Sequence, residues 1–200
     1  MIGIINYGAG NVFSVLKSVE KTGKKAKIMS KPEKIRDITH IILPGVGAFD
    51  DGIKSMRETG MDEFLKDGIK KGRYILGICL GLQLFFERSE EGSLNGFNFF
   101  SGGNLRFSGN SGLSIPHMGW NTVLMKKQSK IFKDIPARSF FYFAHSYYPV
   151  PADRDIIIGV TGYGVKFASV VEKNNIIGLQ FHPEKSSVHG QKIIENFVNL

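Results

Sequence analysis

This chain of 200 residues contains a single cysteine, so no internal disulfide can staple it and its stability has to come from a hydrophobic core. No apolar run approaches the roughly 20 residues that a membrane-spanning helix needs. The stretch 140–144 is among the longest. The opening MIGIINYGAGN lacks the basic segment and unbroken apolar core of a secretion signal, and the expected location is the cytoplasm. Positive charge is not gathered either: the net charge is +8, yet the lysines lie in ones and twos, as at Lys24, Lys25, Lys70, Lys71, Lys126 and Lys127. Without a basic arm, stripe or recognisable module, neither nucleic acid nor a membrane is an expected partner. An acidic protein or a phosphorylated substrate nearby suits such a surface equally well. Internal repeats and linker-like segments are also missing, so residues 1–200 are read as one domain.

What is present alternates. Ile2–Ile5, Ala26–Met29, His40–Leu43 and Tyr74–Ile78 are short apolar runs bounded by turn signals, as in parallel strands joined by crossover helices. Val12, Val15, Leu16 and Val19 repeat at helical spacing, with Gly23 as a C-cap, and so do Met61, Phe64, Leu65 and Ile69. Helix is expected over 80–87. Past residue 90, β-branched and aromatic runs near 97–107, 122–125, 139–148, 156–160, 165–171 and 175–181 predict antiparallel strands added to the parallel sheet. A final helix carries Ile193, Ile194, Phe197 and Val198. The predicted class is α/β, with a largely parallel central sheet in its first half.

The lone thiol sits in RYILGICLGLQLFFE. Gly77-Ile78-Cys79-Leu80-Gly81 has the form of a nucleophile elbow, in which a strand turns sharply into a helix and flanking glycines let the chain fold back on itself. At such a tip the sulfur lies over a helix amino terminus, which favours thiolate, and the Leu80 N–H points at a developing oxyanion. A buried, inert cysteine is the alternative, because the glycine pattern by itself is weak.

A thiol nucleophile also needs a base, and the base needs something to orient it. Gln180-Phe181-His182-Pro183-Glu184 supplies both, since a His and a Glu two apart on an extended segment point to one side. The same H-x-E pair could ligate a metal, but no second His/Cys cluster of ligand spacing accompanies it, and neither metal nor other cofactor is expected. His40, His117, His145 and His189 are isolated in sequence. Pro44-Gly45-Val46-Gly47 ends a predicted central strand, where ligands bind in open α/β sheets, and its glycines let backbone N–H groups approach a substrate. A second oxyanion donor from that loop completes an acyl-transfer site.

With NYGAGN, LPGVGAF, GICLGLQLFFE, PHMGWN, YFAHSYY and GLQFHPEKS in this order over essentially its whole length, the chain resembles the triad-type (class I) glutamine amidotransferases. Within them it is most similar to the subunits that serve imidazole glycerol phosphate synthases in histidine biosynthesis. That resemblance implies a flavodoxin-like three-layer fold. It also implies glutamine as substrate, Cys79 as nucleophile, His182 as proton relay and Glu184 as its orienter. By the same resemblance Val46 and Leu80 supply the oxyanion hole, while Gly47, Gln83, Ser146 and Tyr147 hold glutamine. The implied partner is a (β/α)8 cyclase subunit that receives ammonia and forms a heterodimer near His117, Met118, Trp120 and Tyr142. Val46 is expected to present its N–H only in the activated complex, the loop glycines giving it freedom to turn.

Some features depart from the commonest family pattern. Asn6 stands where aspartate is frequent, 95–104 (NGFNFFSGGN) is unusually aromatic and amide-rich, and FSGNSGLS is a variable loop. These leave open a related subunit that feeds ammonia to an enzyme modifying nucleotide-linked or surface sugars. Hydrolases and stress proteins with a cysteine elbow, and a binding module with a vestigial triad, are the further alternatives.

Overall fold

Ile2–Ile5 (β1), Ala26–Met29 (β2), His40–Leu43 (β3) and Tyr74–Ile78 (β4) form with the bounds expected from sequence, and β1 pairs in parallel with β2 and β3, and β3 with β4. The runs of β1, β3 and β4 are buried because both faces are covered, whereas β2, at the sheet edge, exposes Lys27. On one face Ile2, Ile4, Ile42, Leu76 and Ile78 pack against helix α1 (Val12–Glu20) and helix α5 (Ser187–Val198). On the other, Ile5, Ile41, Leu43 and Ile75 meet helices α2 (Phe49–Glu58), α3 (Met61–Lys70) and α4 (Leu80–Gln83). This is the three-layer α/β arrangement. The computed structural model describes residues 1–33, 37–108 and 112–200; part of the variable loop FSGNSGLS lies outside the described residues.

The remaining strands are Phe86–Ser89 (β5), Phe100–Arg106 (β6), His117–Met125 (β7), Arg138–His145 (β8), Tyr147–Pro151 (β9), Ile157–Tyr163 (β10), Val165–Lys173 (β11) and Ile176–Leu179 (β12). One sheet runs β2-β1-β3-β4-β12-β11-β10-β7-β8, and a second, small sheet runs β5-β6-β9. Three expectations need correcting. First, β12 is parallel to β4, with Leu179 opposite Ile78, so the parallel part of the sheet extends to it and only β11, β10, β7 and β8 are antiparallel additions. Second, the run near 97–107 and the end of 139–148 leave the main sheet for the small one.

Third, the helix expected over 80–87 stops at Gln83 and the chain enters β5. The carbonyls that would continue the helix are taken from outside. Leu84 accepts from the Phe97 N–H at 2.8 Å, and Phe85 accepts from the N–H groups of Phe99 and Phe100 at 2.8 and 3.1 Å. The buried rings of Phe85, Phe86 and Phe100 cluster around this crossing, which is how the aromatic-rich segment 95–104 overrides local helix preference. Helix α2 was not foreseen, although Phe49, Ile53 and Met56 have i, i+4, i+7 spacing and all face the core. The preceding glycines and the two aspartates of its first turn disguise it, while those aspartates suit a helix start.

Candidate active site

Strand β4 delivers the chain to Cys79, which takes φ 52° and ψ −107°, a backbone region that side-chain-bearing residues avoid. The turn is held from both sides. The Cys79 N–H donates to the Leu179 carbonyl at 2.7 Å, and a Cβ on Gly81 would lie 1.9 Å from the Leu43 carbonyl oxygen. A Cβ on Gly77 would meet the Phe85 ring at 2.5 Å and the backbone of Gly81 and Leu82 at 2.8 Å. The glycines are therefore required by close approach, and the strained residue is the cysteine itself. Helix α4 is a single short turn, so the helix dipole expected at the sulfur is a minor contribution.

Parallel pairing of β12 with β4 explains why residues a hundred positions apart meet. Leu179 lies opposite Ile78, so the chain beyond β12 passes beside the elbow. There the His182 Nδ1 meets Glu184 Oε1 at 2.9 Å, with both side chains only 3% exposed. Burial opposes a charge on His182. Negative charge on Cys79, reinforced by the hydrogen bond and charge of Glu184, outweighs burial and raises the imidazolium pKa to about 10. His182 Nε2 is buried with no partner in hydrogen-bond geometry, free for a proton in transit. The backbone fixes the segment: the His182 N–H donates to Tyr142 O at 2.9 Å, and Ser186 Oγ donates to His182 O at 2.6 Å.

A pocket of about 180 Å³ opens on the sulfur. Val46, Gly47, Leu80, Gln83, Ser146 and Tyr147 all line it with Cys79, so the six residues expected around a substrate are brought together. Glu91, Pro116, Ala144 and His145 join them without having been foreseen. Glu91 is half-buried; burial pushes its carboxyl up, the Phe49 N–H that it accepts at 2.9 Å pulls it down, and Asp50 and Asp51 push it up further. The Leu80 N–H points at Gly45 O across 3.4 Å, a long bond that the adjacent loop imposes. Gly47 adopts φ 110°, which favours glycine, and the Val46 side chain is exposed.

Of the four residues expected at a partner surface, Met118 is 64% exposed, Trp120 is 54% exposed and Tyr142 is half-buried. His117 is buried, and the reason is the two-residue period of β7: Met118 and Trp120 share the outer face and His117 takes the inner one. Trp120 lies opposite Tyr142 on β8, their rings 6.3 Å apart at 78°. Inside, two of the histidines that look isolated in sequence, His117 and His145, form a chain with Asn121 and Tyr147. Asn121 Nδ2 donates to His117 Nε2 at 3.1 Å, His117 Nδ1 lies 3.0 Å from His145 Nε2, and His145 Nδ1 donates to Tyr147 O at 2.7 Å. Each ring needs one bare nitrogen for this, and burial lowers the pKa of His117 to about 4 and, against the pull of the Tyr147 carbonyl, that of His145 to about 3. Both are neutral at pH 7.

Among the described residues, no group of three or more His, Cys, Asp or Glu is arranged to hold a metal ion, and no helix is long and apolar enough to cross a membrane. A thiol, a protonated imidazole and an orienting carboxylate, with backbone N–H groups at a pocket, are the equipment for acyl transfer through a thioester.

Residues 3–200 match the family described as Glutamine amidotransferase class-I. The chain is 44% identical over 198 residues to the imidazole glycerol phosphate synthase subunit HisH of Desulfitobacterium hafniense, covering 98% of this chain and 93% of that one. It is 42% identical over 201 residues to the subunit named HisH 2 of Pseudomonas aeruginosa, covering all of both. In three dimensions it resembles a chain of PurLQS from Thermotoga maritima, with TM-score 0.79, 21% identity and coverage of 99% and 97%. At that identity the last likeness speaks for the fold alone.

Proposed function

This chain belongs to the class I glutamine amidotransferase family, and from that membership we propose that it hydrolyses glutamine and hands the ammonia to a cyclase subunit in histidine biosynthesis. The observation that carries the chemistry is the Cys79–His182–Glu184 constellation at the mouth of a pocket lined by Gln83, Ser146 and Tyr147. The test is transfer of the glutamine amide nitrogen to the cyclase product in the reconstituted two-subunit enzyme. Residues 1–200 act as one glutaminase domain in this reading.

The thiolate of Cys79 attacks the side-chain carbonyl carbon of glutamine, and its electron pair forms the C–S bond as the C=O electrons move to oxygen. When the tetrahedral centre collapses, the C–N bond breaks and His182 gives its proton to the departing nitrogen, releasing ammonia and leaving a thioester. Neutral His182 then takes a proton from water, whose oxygen attacks the thioester. Glutamate leaves and the thiolate–imidazolium pair is restored. The raised pKa of His182 keeps the proton in place for the first collapse, and Glu184 holds the ring so that Nε2 faces the sulfur.

Neither oxyanion donor faces the pocket in the observed state. The Gly45 carbonyl points at the Leu80 N–H, and in a trans peptide the following N–H, that of Val46, points the opposite way. Turning this one peptide would free the Leu80 N–H and aim that of Val46 into the pocket. Gly45, which flanks the turning peptide, supplies the freedom for the turn, and the buried, unpartnered hydroxyl of Tyr7 lies beside Gly45, ready to donate to the displaced carbonyl. The stripe Met118, Trp120, Tyr142 and exposed Phe140 lies on one face of β7 and β8, and Met118 also lines the pocket. It is where the partner docks in this reading, so the ammonia is released under cover of the second subunit before water protonates it.

Among the described residues that line the pocket, Glu91 is the only carboxylate and is the group suited to the α-ammonium of glutamine. Glu91→Gln therefore raises KM for glutamine by about tenfold or more, with a much smaller change in kcat. Steady-state glutaminase kinetics on the two-subunit enzyme measure both.

A further inference from the structure

Gln180 is fully buried, lies two residues before His182 and takes no part in the steps above. Alternation along the extended segment turns Gln180 and His182 to the same side, toward the elbow, while Phe181 stacks on Phe141 in the core at 4.1 Å. The Gln180 amide is 3.6 Å from Cys79 Sγ through its nitrogen and 3.2 Å from Gln83 Nε2 through its oxygen.

The surrounding network fixes which way that amide faces. The Tyr147 carbonyl can only accept, so Gln83 turns its nitrogen toward it, at 2.9 Å. The same nitrogen has a second hydrogen, and it goes to Gln180 Oε1. That leaves the Gln180 NH2 group facing the sulfur.

The sulfur's other polar neighbour pulls the opposite way. Ala144 O, 3.8 Å off, can hold only a protonated thiol and repels a thiolate. The charge of Cys79 is felt by Tyr7 and by His182, and of these two His182 brings positive charge. His145, nearby and neutral, contributes none.

We propose that Gln180 is a fourth catalytic residue, a fixed neutral donor that stabilises the Cys79 thiolate and, through Gln83 and the Tyr147 carbonyl, ties the sulfur to the wall of the substrate pocket. This rests on Cys79 being the nucleophile. A neutral donor can remain in place throughout the cycle, whereas the His182 proton leaves the sulfur's side once ammonia departs. It therefore also supports the sulfur as a leaving group when the thioester is opened, adding to the imidazolium that His182 becomes on taking the proton from water.

The experiment is the pH dependence of Cys79 alkylation by iodoacetamide in the full chain, which needs no glutaminase turnover. Gln180→Met, close in shape and without a donor, moves the midpoint of alkylation upward by about one pH unit. Gln180→Glu, which keeps the acceptor for Gln83 but puts an anion at the sulfur, moves it further. Unmoved midpoints in folded variants, with lowered kcat, would make Gln180 a packing residue and overturn the proposal. Should neither variant fold, the wild-type side-chain amide resonance of Gln180 decides: it shifts as Cys79 titrates if the donor is real and stays constant if it is not. Wild-type chain that alkylates normally yet releases no glutamate with its partner would count against the glutaminase reading instead.

Discussion

Cys79→Ala abolishes glutamate release from glutamine, reducing the rate by at least about a thousandfold, because no other thiol exists in the chain to form the thioester. Binding to the cyclase subunit persists, since Cys79 is only 5% exposed inside the pocket while Met118, Trp120 and Phe140 carry the exposed surface. When ammonium salt is supplied directly, the variant complex still makes the cyclase product. Glutamate assay with glutamine, and product assay with ammonium, separate the two outcomes. Residual glutaminase near the wild-type rate would remove Cys79 from the mechanism.

The second large effect belongs to the pair behind the sulfur. His182→Ala removes both the acid for ammonia and the base for water, and kcat falls by about 10² to 10⁴. Glu184→Gln leaves a side chain of the same shape but takes away the carboxylate that accepts from Nδ1 at 2.9 Å. The sign of its pH effect follows from the causes at His182. Burial lowers that pKa, the thiolate and Glu184 raise it, and their balance is about 10. The wild-type rate therefore holds its plateau through neutral pH and falls as pH rises toward 10, when the imidazolium proton is lost. Without the Glu184 charge the same fall begins at lower pH. A pH–rate profile of both proteins, taken with saturating glutamine, checks it; an alkaline limb that does not move would mean that Glu184 does not support the imidazolium.

Sequence reading reached β1, β3 and β4 with their bounds because both faces of each are covered, which leaves an apolar run, and it reached the edge strand β2 from Ala26, Ile28 and Met29 despite the exposed Lys27. It reached the elbow because Gly77 and Gly81 are dictated by local backbone crowding. It missed β5 because LQLFFE has good helical spacing, and only the distant N–H groups of residues 97–100 draw that backbone away. Glu91 lies in a polar run, SEEGS, that nothing local distinguishes from a solvated turn; the Phe49 N–H at the start of α2 brings its carboxylate to the pocket. The His117–His145 pair spans 28 residues and exists only through the β7–β8 register, which also turns His117 inward from the stripe where it was expected. In sequence Gln180 reads only as the end of a strand beside His182. Its significance depends on Gln83, 97 positions earlier, which orients its amide.

The most direct test of an ammonia-supplying glutaminase is transfer from glutamine carrying heavy nitrogen in its side-chain amide, in the complex of this chain with the histidine-pathway cyclase and its ribonucleotide substrate, with unlabelled ammonium in the medium. Glutamate and imidazole glycerol phosphate then form in equal amounts, the ribonucleotide stimulates glutamate release, and the product's new nitrogen is heavy despite the competing ammonium. Glutamate release that ignores the cyclase and its substrate, or product carrying medium nitrogen, would contradict it.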